Sequence, residues 1–113
     1  MKKVILHFFF AAVLLLSSCV LAHKAAVNFY NATGIYHLNF TLDGAAHPSN
    51  PVPSGVWVEW AAITPGDHML GATAADSNGA PVPGIAPVSE SMNLKAGTLT
   101  TWTITTSGSA LFH

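Results

Sequence analysis

The sequence contains no arginine and a single cysteine, and only 8% of its residues are charged. Each shortage excludes something. Without a second cysteine no internal disulfide can staple the fold, so stability rests on packing. Without a basic stripe nothing neutralises a phosphate backbone, which excludes a nucleic-acid binder. A polybasic membrane patch is excluded for the same reason. Helical periodicity is missing too. No window holds apolar residues at a sustained spacing of about 3.6, while Gly, Pro and Thr recur. No Gly-x-Ser-x-Gly elbow is present.

What is present begins at the N-terminus. Met1-Lys2-Lys3 is a short positive region. Val4 to Leu16 is a run of 13 residues, apolar except for His7. A spanning helix needs about 20, so this run is an export signal. Leu16-Ser17-Ser18-Cys19 follows. It resembles the lipobox of bacterial lipoproteins, an aliphatic residue, two small residues and a cysteine. The resemblance implies diacylglycerol on the Cys19 thiol and cleavage just before it. Residues 1–18 are then the signal peptide, 19–24 the anchor and a short linker, and 25–113 the domain. Acylation also accounts for a lone thiol in an exported chain. By the same resemblance, Val20 in place of Asp after the cysteine favours the outer membrane where a cell has two. The alternative is ordinary cleavage after Ala22, at Val20-Leu21-Ala22. That makes 1–22 the signal and the product periplasmic or secreted.

Cleavage before Cys19 removes 18 of 113 residues and leaves 95, one domain with one core. Lys24 and Lys95 remain against Asp43, Glu59, Asp67, Asp76 and Glu90, a net charge of −3 with histidines neutral. Solubility rests on Ser, Thr, Asn and Gly, a composition compatible with a protein held at a surface.

Strand signals are good. Val27-Asn28-Phe29 opens a first strand. Tyr36, Leu38, Phe40 and Leu42 alternate with His37, Asn39 and Thr41, up to the turn pair Asp43-Gly44. Ala45 to Gly55 holds three prolines and reads as a loop. Val56 to Ile63 is apolar on both faces, which predicts a central strand or a covered outer face. Pro65-Gly66 is a turn, and His68 to Ala75 a further strand. Asp76-Ser77-Asn78-Gly79 turns again, and Ala80 to Pro87 is a second irregular loop. Val88 to Leu94 and Leu99 to Thr106 are strands, the latter rich in β-branched threonine. The tail Ser107 to His113 frays or adds a short edge. The prediction is all-β, a small antiparallel sandwich of about six to seven strands after the signal peptide. Over Ala25 to Thr106 the chain weakly resembles small immunoglobulin-like or prealbumin-like modules of bacterial surface proteins. Ile63-Thr64-Pro65-Gly66-Asp67-His68 and Leu94-Lys95-Ala96-Gly97-Thr98 carry that likeness.

Candidate sites are few. Asp43, Asp67 and Asp76 sit in turns, where Asp bonds locally. Glu59 and Glu90 are the strand carboxylates left for acid–base work, so no catalytic residue is assigned and a non-enzymatic role is expected. No cofactor is implied. For metal, His23, His37 and His68 are candidates, since imidazole suits copper and zinc. No pair has His-x-x-x-His spacing, and Met69 and Met92 read as core filler. Cleavage after Ala22 would give His23 a free α-amino group, resembling the terminal-histidine copper proteins of the periplasm. For ligand surfaces, Trp57 and Trp102 are candidates for stacking on a sugar or anchoring a partner, against burial of all three tryptophans. Trp57 and Trp60 are three apart and point to opposite faces, and Trp57 is the better candidate for exposure. Three functions follow. The first is a lipid-anchored binding or structural module with an envelope protein or glycan as partner. The second is a periplasmic copper or zinc protein, and the third a carbohydrate-binding module.

Overall fold

Alternation decides the faces. The computed structural model describes residues 23–108 and 110–113, so the signal segment and Cys19 lie outside the described residues. Eight strands and no helix form among the described residues. They are β1 (Ala25–Asn31), β2 (His37–Leu42), β3 (Ala45–Ala46), β4 (Trp57–Ile63), β5 (Gly66–Ala75), β6 (Val88–Leu94), β7 (Leu99–Ser107) and β8 (Ala110–Phe112). β1 buries Ala25, Val27, Phe29 and Asn31 and turns Ala26, Asn28 and Tyr30 outward. β2 buries Leu38, Phe40 and Leu42. Asp43 and Gly44 both take positive φ, 51° and 82°, as a two-residue hairpin between β2 and β3 requires.

Two four-stranded sheets result, in the orders β4-β1-β7-β8 and β3-β2-β5-β6. They pack as an all-β sandwich. Neighbours are antiparallel except β1 and β7, which run parallel. Residues 32–98, 67 in all, separate those two strands, so no hairpin dictates their direction. β3 and β8 exceed the six clear strands of the sequence because each is only two or three residues long.

β4 corrects one expectation. It is an edge strand, and its mixed pattern comes from a bulge. Between Ala25 and Val27 the register with β4 slips, with Val27 opposite Trp60 and Ala25 opposite Ile63. Ala62 absorbs the extra residue at φ 57°. Alternation then shifts, so Ala61 and Ala62 are both exposed and Ile63 turns into the core.

The core is aromatic at its centre. Phe29 and Phe40 lie 5.0 Å apart by ring centroid, and Trp102 meets Phe29 edge-on at 5.9 Å. Each fully buried side chain of this size stabilises by roughly 1.5–3 kcal/mol. One side of the sandwich is closed by His47, which stacks edge-on against Trp60 at 5.2 Å. Its Nδ1 accepts from Ser49 N–H and its Nε2–H donates to the Glu59 carbonyl at 2.9 Å. The two bonds together fix the tautomer. The other side is closed by Glu90, whose Oε2 accepts from Trp102 Nε1–H at 2.8 Å and faces His113 Nε2 at 2.9 Å.

The crossover from β1 to β2 is built on Asn31, which is fully buried. Its Nδ2 donates to the Tyr36 and Val52 carbonyls, both at 2.8 Å, and its Oδ1 accepts from Thr33 N–H and Oγ1–H. Asn50 acts similarly, its amide pairing with both backbone groups of Phe40 as a strand would.

Candidate functional site

The two outer faces differ. On the β2-β5-β6 side the outward residues are mainly small and polar, among them Asn39, Thr41, Thr73, Ser89 and Ser91. On the β4-β1-β7 side two ordered rows appear. Register places Tyr30 opposite Trp57 and Thr103, and Asn28 opposite Glu59 and Thr101. An aromatic row therefore adjoins a polar row. Trp57 is 58% exposed. Asn28, Tyr30, Gly55, Trp57 and Thr101 line a shallow groove of about 420 Å³.

Asn28 is the odd side chain in this groove. Its Oδ1 is buried and accepts no hydrogen bond from the described residues. An unpaired buried acceptor costs about 1–3 kcal/mol. The other half-buried or buried asparagines all have partners, Asn39 donating to the Gly79 carbonyl alongside the Asn31 and Asn50 contacts above. Nothing in the sequence marks Asn28, because an outward asparagine on a strand reads as a solvated one.

A second depression, of about 280 Å³, lies at the bulge and is lined by Lys24, Ala25, Ala26, Glu59, Ala61, Ala62, Gly97, Thr98 and Leu99. It holds one cation and one carboxylate in its lining and has no aromatic platform.

His68 is committed to the fold. Its Nδ1–H donates to Asp43 Oδ2 at 2.5 Å and its Nε2–H to the Thr64 carbonyl at 2.6 Å. Both ring nitrogens face acceptors, which suits the doubly protonated ring. The Asp43 carboxylate first, and the Thr64 carbonyl next, hold the His68 pKa above its ordinary 6.5. The Met69 N–H first, and His68 next, hold the Asp43 carboxyl below its ordinary 3.8. The pair ties the β2–β3 turn to the β4–β5 turn and leaves neither nitrogen for a metal or a proton relay.

The predicted metal candidates do not meet. His37 pairs with Ala75, seven residues along β5 from His68, or roughly 23 Å at about 3.3 Å per residue. His23 is exposed ahead of β1. Among the described residues no three His, Cys, Asp or Glu side chains stand close enough to hold an ion. Glu59 is on the outer face of one sheet and Glu90 turns inward from the other, so the strand carboxylates are not a pair. Of the ligand-surface candidates, Trp57 is exposed as expected. Trp102 is not available, being 3% exposed and bonded to Glu90. It shares its inward face with Ile104, and the core needs its volume. Met92 packs against the core, but Met69 is exposed rather than filling it.

Compared with known families and curated proteins, the chain matches no family and shows no significant sequence similarity to a curated protein.

Proposed function

We propose that this chain is an exported, non-catalytic binding domain, held on a bacterial membrane by lipid on Cys19, and that the outer β4-β1-β7 face is its binding surface. The lipobox Leu16-Ser17-Ser18-Cys19 supports the anchor. The observation that carries the binding role is the exposed Trp57 beside Tyr30, over a groove floored by Asn28. Large exposed aromatics with adjoining polar groups are the usual anchors of recognition surfaces. The polar groups elsewhere that resemble chemistry, Asp43 with His68 and Glu90 with His113, are bonded to structural partners.

Two measurements test the reading. Intact mass of the protein from a membrane fraction should equal the chain from Cys19 plus acyl chains, and Cys19→Ala should abolish that species. A mass matching a chain that begins at His23 refutes the anchor. Separately, the domain prepared without acyl chains, so that lipid insertion does not hold it, should sediment with isolated cell envelopes, and Trp57→Ala should reduce that co-sedimentation without lowering the melting temperature. Equal co-sedimentation of the variant refutes the assigned face.

A further inference from the structure

We propose that the groove at Trp57 binds a neutral glycan, one sugar ring stacking on the indole while its hydroxyls meet Asn28, Tyr30 and Thr101. This rests on the reading of the face above as the binding surface, and it names the ligand. Four observations converge. First, Trp57 presents an open indole, whereas Trp102 is buried and Trp60 packs against the core. An aromatic face with a polar neighbour suits a ring that is apolar on its C–H side and polar at its rim. Second, register fixes the spacing. Trp57 and Tyr30 are two residues along their strands from Glu59 and Asn28, roughly 7 Å. A pyranose lying on the indole therefore extends its hydroxyls over the polar row.

Third, charge selects among ligands. Neither described lysine lines the groove, and the exposed carboxylate of Glu59 stands in the adjoining row. An anionic polymer would find no cation in the groove to pair with. Fourth, Asn28 Oδ1 lacks a donor. Asn28 lines the groove, and in the proposed complex its amide turns so that a ligand hydroxyl donates to the oxygen. A glycan carries several O–H donors on every ring, and one of them satisfies this acceptor.

The test uses mature protein purified from membranes in a non-glycosidic detergent. It is titrated with cellohexaose, maltohexaose and chitohexaose, and with polygalacturonate as the anionic control. Calorimetry and the indole N–H resonances are followed. The expected result is saturable binding of a neutral oligosaccharide that perturbs the Trp57 indole. Trp57→Ala and Asn28→Leu should each weaken it about tenfold or more, and polygalacturonate should not bind. Trp57→Phe keeps a stacking face and should retain most of the affinity, which guards against a folding defect in the alanine variant. Absence of Trp57-dependent binding to all three neutral oligosaccharides overturns the proposal, as does preferential binding of the polyanion. If Trp57-dependent co-sedimentation with envelopes persists in that case, the face remains a binding surface and its ligand is not a glycan. If both are lost, the glycan and the binding surface fall together.

Discussion

Asn28 and Asn31 stand three residues apart on β1, so they leave the strand on opposite faces. Asn31 is wholly buried and spends its amide on four hydrogen bonds that build the β1–β2 crossover. Asn28 sits on the outer face with an oxygen that has no partner. One residue type therefore does two jobs on one strand. Inward, a polar side chain is tolerated only when fully satisfied. Outward, an unsatisfied one is a standing cost of the kind found where a ligand completes the site.

The contrast can be broken by mutation. Asn31→Ala should have the largest effect, destabilising by about 3 kcal/mol because it orphans the Tyr36 and Val52 carbonyls together. Urea unfolding measures this, and a loss below about 1 kcal/mol would mean that water or relaxation replaces the network. Glu90→Ala comes next. It leaves the buried Trp102 N–H without an acceptor and should cost about 1–2 kcal/mol, while Glu90→Gln, which keeps an acceptor oxygen, should cost less. Equal losses in the two variants would deny the hydrogen bond its role.

Asp43→Asn should change the pH profile more than the maximum stability. The raised His68 pKa contributes stability that is full below 6.5 and is lost as pH rises through the folded value. The lowered Asp43 pKa contributes stability that is full above 3.8 and is lost as pH falls through the folded value. The pair therefore stabilises most between those two pH values. Asparagine tolerates the positive φ at this position. In the variant, the His68 titration followed by NMR should move down toward 6.5, and the melting temperature should depend less on pH. The smallest effect belongs to Asn28→Leu. Stability should be unchanged or rise by up to about 1 kcal/mol, since a buried unpaired oxygen is removed. A clear loss of stability would place Asn28 with Asn31 as a builder of the fold.

Much of the architecture was legible in the sequence. The alternation at Tyr36 to Leu42 and the pair Asp43-Gly44 specify a strand and its hairpin, because side-chain period and positive φ are local properties. The Trp57/Trp60 spacing likewise separates an exposed ring from a core-facing one. Non-local features were not legible. The parallel pairing of β1 with β7, the edge position of β4 and the bulge that turns Ile63 inward all depend on which strands meet. Trp102 carried the same ambiguity, since period two gives two faces without saying which is inside. The site was half legible for a related reason. Exposure of Trp57 followed from its neighbours, but Asn28 acquires significance only when register sets it beside Glu59 and Thr101.

The bulge at Ala62 has a consequence for life among identical copies. An edge strand is a template, a row of free amides and carbonyls on which another chain can polymerise. β4 is an edge, but Ala62 breaks its ladder near one end and His47 already occupies the Glu59 carbonyl. β6, one edge of the other sheet, turns the carboxylate of Glu90 toward the interior, where an incoming strand would have to contend with it. With so few surface charges to hold neighbours apart by repulsion, these irregular rims are what the fold sets against edge-to-edge pairing of crowded copies.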